Sequence, residues 1–236
     1  MKGRNDISWV QDFLSERVPK GNPLSLRTPL QGDEAHWFRS AAESGLFKFH
    51  ECTAGCGRLR RWGRGGRDEF LTPKGQQRHL FSFAKERPCR LNAEYLPHIG
   101  AVARLILEFG YDQSRFSFSL YRTFSRDLIH KKAGQWYETD SEFYDSDSSI
   151  WLQVEAKRTR QQAEALAAAI EQHGFSSERV AKELEYVLDL SPRYLWIVGA
   201  GCIGTDALVY EVKEVDGVMA KFDRLAAVPG PPDKRI

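Results

Sequence analysis

Glu155 and Lys157 stand two residues apart at the end of an apolar stretch, residues 150–157. Alternating apolar and polar residues predict a β-strand there, and side chains alternate between the two faces of a strand. Glu155 and Lys157 therefore share one face with Gln153. The other face is apolar and carries Ile150, Leu152, Val154 and Ala156. A carboxylate and an ammonium thus point the same way from the end of an otherwise buried strand.

A second strand, rich in acidic residues, is predicted at residues 135–144, and turn-forming residues at 145–149 separate the two strands. This pattern is typical of a hairpin. Asp140 shares one face of the first strand with Glu138 and Glu142. Carboxylate oxygens bind Mg²⁺ or Mn²⁺, and Mg²⁺ takes its remaining ligands from water and phosphate. Because such a metal activates water and stabilises an attacked phosphodiester, the hairpin predicts a site for phosphodiester hydrolysis.

At these residues the chain resembles the PD-(D/E)XK nuclease superfamily. Glu155-Ala156-Lys157 matches the second half of the signature, and Asp140, fifteen residues before Glu155, matches the first half. The resemblance implies that Asp140, Glu155 and the main-chain carbonyl of Ala156 hold the metal. Lys157 would orient or help to deprotonate the attacking water. The resemblance covers the chain from about residue 92 onward and implies an α/β, restriction-endonuclease-like core, in which helices flank a central mixed sheet.

Thr139 stands where a proline is common in the superfamily, so Glu142 and Asp145 are alternatives to Asp140 as the first acidic ligand. A different interpretation needs no metal. The hairpin would then lie at the surface, and its Glu-x-Lys pair would be an ion pair that contributes little to stability. The triplet alone does not distinguish the two interpretations, because short motifs match by chance.

A helix is predicted at residues 93–109, ended by Gly110, with Pro97 near its start. Many members of the superfamily take a further metal-site ligand from a glutamate on this first core helix. The resemblance therefore makes Glu108 the first candidate and Glu94 the second. The alternative is that Glu108 is a solvated residue on the helix surface.

The other elements predicted for this half follow the order of the nuclease core: a strand, two helices and two strands. They lie at residues 115–124, 161–172, 177–188, 194–198 and 208–212.

The run Gly199-Ala200-Gly201-Cys202-Ile203-Gly204 matches a dinucleotide-binding pattern after a strand. That interpretation requires a helix to follow, whereas this run leads almost directly into the strand at 208–212. We therefore predict a loop between two strands. A Rossmann-type enzyme built on residues 194–204 is the weaker alternative.

Residues 1–91 predict a separate, smaller α+β domain. Helices are indicated at 6–18 and 33–44, with a proline-rich stretch at 19–30 between them that makes a poor helix.

The order of elements in this domain resembles a winged helix-turn-helix protein. The matching residues are Ala42-Glu43-Ser44-Gly45-Leu46-Phe47 and Phe70-Leu71-Thr72-Pro73-Lys74-Gly75. The resemblance implies a wing at 47–70 and a last helix at 72–84, with the helix near 35–44 approaching the major groove. Wing arginines would contact phosphates or the minor groove, and the candidates are Arg58, Arg60, Arg61, Arg64 and Arg67. The alternative is a solvated basic loop.

Four residues of this domain are candidate ligands for a structural Zn²⁺: Cys52, Cys56, His79 and Cys89. Structural zinc takes four ligands, usually as two close pairs. Cys52 and Cys56 form one close pair, but His79 and Cys89 are ten residues apart. Cysteines that bind no metal are therefore the alternative.

The charge of the chain is unevenly distributed, although the net charge of its 236 residues is only +2. Residues 1–90 carry 17 Lys/Arg against 10 Asp/Glu, whereas residues 91–236 carry 17 against 22. The basic first part favours binding to a polyanion. With four cysteines, no signal-like N-terminus and no apolar run long enough to cross a membrane, we expect a cytoplasmic protein without membrane contact.

The expected function is a metal-dependent endonuclease that hydrolyses phosphodiester bonds in DNA, with double-stranded DNA as the expected substrate. Residues 1–91 would position the nucleic acid for the nuclease-like domain at 92–236. Because such nucleases often dimerise to cut both strands, the resemblance implies a homodimer. The alternative is a DNA-binding regulator that keeps the nuclease fold and does no chemistry.

Overall fold

The structure is a computed structural model of the 236-residue chain. It describes residues 2–17, 24–25, 29–49, 70–71, 77–78, 81–84, 87–91, 94–113, 116–118, 122–125, 152–185, 187, 192–204, 208–215 and 218–231.

Two helices begin the chain, α1 (Lys2–Arg17) and α2 (Gly32–Glu43), with the short strand β1 (Leu24–Ser25) between them. The helices predicted at 6–18 and 33–44 are therefore confirmed. Apolar residues at helical spacing bury one face of each helix in a shared core. These residues are Val10, Leu14, Ala35, Phe38 and Ala41.

Two small sheets follow. β2 (Lys48–Phe49), β3 (Phe70–Leu71) and β4 (Gln77–Arg78) form an antiparallel sheet. β5 (Phe81–Ala84) pairs antiparallel with β6 (Arg87–Leu91), and β1 pairs parallel with the other edge of β6. The pairing of β2 with β3 is the one that a wing at 47–70 requires.

β4 and β5 occupy part of the segment 72–84, where the sequence predicted a helix, and that prediction is wrong. It depended on Thr72 and Pro73 as a helix start. The run Phe81-Ser82-Phe83 has the alternation and the aromatic content of a strand instead, and β6 satisfies its main-chain groups by pairing.

The next helix, α3 (Tyr95–Leu107), confirms the helix predicted at 93–109. Pro97 lies in its first turn, where the N–H that proline lacks has no partner within the helix in any case.

A six-stranded sheet forms the centre of the protein. Its strands are β7 (Phe116–Phe118), β8 (Arg122–Ser125), β9 (Leu152–Ala156), β10 (Tyr194–Val198), β11 (Leu208–Val215) and β12 (Val218–Leu225). Their order in the sheet is β12-β11-β10-β9-β8-β7. Only β9 and β10 run parallel, and the other pairs are antiparallel. The protein is thus a mixed α/β protein, as predicted.

Two helices, α4 (Arg160–His173) and α5 (Glu178–Glu183), lie between β9 and β10 in the chain, and the 3-10 turn Gly174–Ser176 joins them. A parallel pair of strands needs such a crossover. α4 confirms the helix predicted at 161–172, whereas α5 is shorter than the predicted 177–188.

The predicted strand at 115–124 proves to be two strands, because β7 and β8 pair antiparallel with each other. A pattern of alternating residues does not distinguish one long strand from two short ones. The sequence reasoning also missed β12, which forms a hairpin with β11. Its signal was present, because the dipeptide Asp216-Gly217 between two alternating runs is a strong sequence indication of a hairpin.

The sheet has a hydrophobic core on each face. On one face, Leu152, Val154 and Ala156 pack in a cluster with buried residues of α1, α2 and α3. On the other face, Leu195 and Ile197 pack with buried residues of α4 and α5. The predicted apolar face of β9 is therefore confirmed. Helices α1 and α2, from residues 1–91, and α3, from residues 92–236, share the first core. The expected boundary at residue 91 stays a prediction.

None of the helices in the described part of the chain is long and apolar enough to cross a membrane.

Candidate active site

Glu155 and Lys157 lie at the carboxyl end of β9, on the face of the sheet that α4 and α5 cover. Glu155 is only 2% exposed, because both faces of β9 are buried. The main-chain N–H of Lys157 donates a hydrogen bond to the carbonyl of Val198, at 2.8 Å. This bond extends the pairing of β9 with β10 by one residue. Lys157 therefore keeps the strand alternation and points to the same side as Glu155.

A cavity of about 320 Å³ opens at this end of β9. Three carboxylates and three cations contribute to its lining, which is strongly polar. The lining residues are Glu94, Glu155, Ala156, Lys157, Arg158, Gln162, Arg179 and Glu183. The predicted pair Glu155 and Lys157 is thus brought together in one cavity, where a charged ligand would find both signs of charge.

Lys157 lies between two carboxylates. Its Nζ is 3.2 Å from Oε1 of Glu155 and 2.9 Å from Oε2 of Glu183. Arg179 in turn holds the other oxygen of Glu183, at 2.9 Å from its Nε. Burial works to raise the pKa of Glu183, but hydrogen bonds and charge from Lys157 and Arg179 hold that pKa below its ordinary value. Glu183 is therefore a second anionic partner that fixes the lysine ammonium over the cavity.

Gln153 supplies a further contact on the same face of β9. Its Nε2 donates to Oε2 of Glu155 at 3.3 Å. The two carboxylate oxygens of Glu155 thus have different partners, the Lys157 ammonium on one and the Gln153 amide on the other. This arrangement restricts the rotation of the carboxylate at the cavity wall.

Glu94 reaches the cavity from the turn just before α3. Its side chain is mostly buried, and the guanidinium of Arg158 donates a hydrogen bond to its Oε1. Glu94 and Glu155 are 61 residues apart in the sequence, and the packing of α3 on the sheet brings both to one cavity.

The start of α4 is held close to the end of β10. Oγ1 of Thr159 caps the helix by accepting a hydrogen bond from the N–H of Gln162, at 3.1 Å. A Cβ on Gly199 would lie 2.6 Å from the carbonyl oxygen of Thr159, so only glycine permits this approach. The close packing keeps residues 157–159 against the sheet, where Lys157 and Arg158 line the cavity.

The glycine-rich run at 199–204 joins two antiparallel strands, β10 and β11, as the sequence predicted. Only residues 205–207 separate it from β11, which leaves no room for the helix of a dinucleotide-binding unit. Oδ2 of Asp33 accepts hydrogen bonds from the N–H groups of Ile203 and Gly204, at 2.8 and 3.3 Å. Arg104 donates to the carbonyls of the same two residues. The run therefore connects the sheet to α2 and α3.

Glu108, the first candidate on α3, is not among the residues that line the cavity. It follows the last residue of α3, and its carboxylate pairs with Nε of Arg104 at 2.6 Å. A helix of 13 residues is about 20 Å long, so Glu108 lies far along α3 from Glu94. The structure thus brings the second candidate to the cavity and places the first elsewhere. A metal-site role for Glu108 stays a prediction.

Several predicted site residues lie outside the described residues. They are Asp140 with its alternatives Glu142 and Asp145, the wing arginines Arg58, Arg60, Arg61, Arg64 and Arg67, and the zinc candidates Cys52, Cys56 and His79. Cys89 lies in β6, whose side chains are not described. The roles expected for these residues stay predictions.

The donors at the cavity suit a hard cation such as Mg²⁺, because carboxylate oxygens are its preferred protein ligands. Within the described ranges, no three His, Cys, Asp or Glu side chains come together as a metal-binding group. Mg²⁺ is usually held by one or two carboxylates, and its remaining ligands are water and phosphate. Glu155 and Glu94 can provide the two carboxylates. The buried amide oxygen of Gln153, which has no hydrogen-bond partner among the described residues, is a further polar group near the Glu155 carboxylate.

Sequence reasoning missed the contributions of Arg158, Arg179 and Glu183. Nothing in their spacing marks them, because the two from α5 reach the cavity through the packing of a short helix. Arg158 directly follows the Glu-x-Lys triplet, and that position was the one available signal.

Comparisons of the chain with protein-family models, with characterised proteins and with solved structures give no match.

Proposed function

We propose that the protein is a divalent-metal-dependent endonuclease with a restriction-endonuclease-like core, and that it hydrolyses phosphodiester bonds in DNA. The observation that carries the proposal is the cavity at the end of β9. There, a buried carboxylate and a lysine from one strand share a wall with a second carboxylate from the start of α3.

Each charged residue of the cavity lining has a defined part in this proposal. Glu155 and Glu94 hold the metal, with Asp140 as the third carboxylate that the resemblance implies. When bound, Mg²⁺ or Mn²⁺ supplies an activated water and a positive charge beside the scissile phosphate. Lys157, held by Glu155 and Glu183, donates hydrogen bonds to the attacking water or to a phosphate oxygen.

Arg158 and Arg179 would contact the phosphodiester backbone. Both line the cavity, and both pair with carboxylates of the same wall, Glu94 and Glu183. Guanidinium groups bind phosphate oxygens with two parallel hydrogen bonds, which positions the bond to be cut.

The basic first part of the chain would hold the DNA. Residues 1–90 carry an excess of seven positive charges, 17 against 10. We propose that the wing arginines bind phosphates in a winged-helix-like arrangement and that structural zinc at Cys52, Cys56, His79 and Cys89 orders the wing. A homodimer would place one cavity at each strand of a duplex.

The second candidate function is a DNA-binding regulator that does no chemistry. The same basic excess favours it, and so does the pairing of each cavity carboxylate with a cation, since such a network can be purely structural. The regulator would bind DNA and leave it intact.

Incubation with supercoiled plasmid tests the proposal. The parent protein and Lys157→Ala are compared in Mg²⁺ or Mn²⁺, and again with EDTA. We expect the parent to nick or linearise the plasmid only when the metal is present, and Lys157→Ala to be inactive. Lys182→Ala is the matched control, because this exposed lysine of α5 is not among the lining residues. Circular dichroism confirms that each variant is folded.

An absence of cleavage with duplex DNA, single-stranded DNA and RNA would favour the regulator. A mobility shift of DNA without cleavage would support that second function directly.

A further inference from the structure

Gln153 is a chemical anomaly in β9. The strand is buried on both faces, and strands of this kind are ordinarily apolar throughout. Gln153 is fully buried, at 0% exposure. In the pairing of β9 with β10 it lies opposite Leu195. An apolar residue would suit this position on packing grounds.

Among the described residues, the amide of Gln153 makes one hydrogen bond, and its partner is Glu155 at the cavity. Its Nε2 donates to Oε2 of Glu155 at 3.3 Å, while Lys157 takes Oε1 at 3.2 Å. Its own Oε1 has no hydrogen-bond partner among the described residues. Of the two polar atoms of the amide, only Nε2 thus has a partner in the described part of the chain, and that partner is Glu155.

Such a group lowers the stability of a fold. A buried amide oxygen without a partner carries an uncompensated loss of hydration, whereas an apolar side chain of the same shape carries none. An unsatisfied buried group calls for an explanation, and a functional role is one of the recognised explanations. For Gln153, the contact with Glu155 offers that role.

We propose that Gln153 is a positioning residue that holds the Glu155 carboxylate in the orientation needed to bind a divalent cation. The proposal rests on the proposed function, because it concerns the same metal site. Partners of this kind commonly set ligand orientation, and their loss typically lowers metal affinity by about 10- to 100-fold.

The opposite role, a purely structural one, makes different predictions. If the amide mainly supported the fold, its replacement would lower the melting temperature and leave metal affinity unchanged. If it positions Glu155, an apolar replacement of similar length leaves the melting temperature equal or higher and weakens metal binding.

The test uses the 236-residue chain without nucleic acid. Mn²⁺ binding is measured by titration calorimetry, and thermal unfolding is measured without metal. For Gln153→Met we expect a Kd for Mn²⁺ raised about tenfold or more and an unchanged or higher melting temperature. Gln153→Leu serves as a second apolar variant in case methionine packs poorly. Gln172→Met, at an exposed position of α4, is the control and should change neither quantity.

The outcomes separate this inference from the function it rests on. Glu155→Gln must abolish the Mn²⁺ signal, which shows that the heat reports this site. A parent that binds Mn²⁺ and apolar variants that bind it equally well would overturn the role of Gln153 alone. Variants that lose both stability and Mn²⁺ binding would overturn it too, since a structural role explains both. A parent that binds no Mn²⁺ would overturn the metal site and this inference together.

Discussion

Two glutamates, Glu34 and Glu155, are buried to almost the same degree, at 3% and 2% exposure, but they have opposite surroundings. Glu155 meets a lysine and an amide N–H at the wall of an open cavity. Glu34 lies in the first turn of α2, where its Oε1 accepts a hydrogen bond from the main-chain N–H of Gln31 at 2.9 Å.

The protonation of Glu34 follows from these surroundings. Burial raises its pKa to about 8, which outweighs the lowering by the Gln31 hydrogen bond, and the negative charge of Asp33 adds to the rise. Glu34 therefore serves as a helix-capping acid that is best accommodated without its charge. Glu155, by contrast, has the Lys157 ammonium and the Gln153 amide as partners, and both favour the charged carboxylate over an isolated one. Burial alone therefore does not distinguish the two acids, whereas the hydrogen-bond partners of each carboxylate do.

The largest expected effect separates the two glutamates by activity. Glu155→Gln removes a proposed metal ligand and should lower cleavage by at least about 10³-fold, because metal stabilisation is worth several kcal/mol. Glu34→Gln keeps the capping acceptor and should cleave like the parent. Single-turnover cleavage of a plasmid at saturating Mn²⁺ measures both. Equal activity of the two variants would remove Glu155 from the site.

A smaller effect, on stability, tests the cation beside Glu155. Lys157→Met leaves the carboxylates of Glu155 and Glu183 without their shared ammonium, so the free energy of unfolding should fall by about 3–5 kcal/mol. Urea unfolding followed by circular dichroism measures it. Lys182→Met, at an exposed position, should stay within about 0.5 kcal/mol of the parent. A Lys157→Met variant as stable as the parent would show that the network contributes nothing to folding.

The smallest effect, per pH unit, concerns Glu34. Its pKa in the folded protein, about 8, is above the ordinary value of 4.5, so the folded state keeps the proton that the unfolded chain loses first. The contribution of protonated Glu34 to the free energy of unfolding is complete below pH 4.5, and it is lost as the pH rises to 8. Between these two pH values the free energy of unfolding should fall by about 1.4 kcal/mol per pH unit.

Urea unfolding at a series of pH values measures this slope. Glu34→Gln should remove it, whereas Glu185→Gln, at an exposed position, should retain it. A parent with no decline between pH 4.5 and 8 would contradict the comparison of the two glutamates.

Local patterns predicted much of the fold. Alternation in β9 separated its apolar face from the face of Glu155, and local residue patterns predicted the helices α2, α3 and α4. Local signals failed where two of them competed. Thr72 and Pro73 suggested a helix start, but the segment that follows contains strands, which pair antiparallel with the neighbouring strands β3 and β6.

The candidate site was predictable only in part. Glu155 and Lys157 share a face because side chains two residues apart in a strand lie on the same side, so their spacing alone predicts it. The choice between Glu94 and Glu108 was different, because both lie near the ends of one helix and only the packing of that helix determines which end meets the sheet.

The sequence by itself determined the pair at the end of β9, since the two-residue period of a strand is a local property of the backbone. The tertiary structure decided what surrounds that pair. It brought Glu94, 61 residues earlier in the sequence, to the same cavity. It also placed Glu183 and Arg179 of the six-residue helix α5 in the lining, where Glu183 pairs with Lys157. Contacts of this kind depend on how apolar faces pack together, and no spacing within one segment records them.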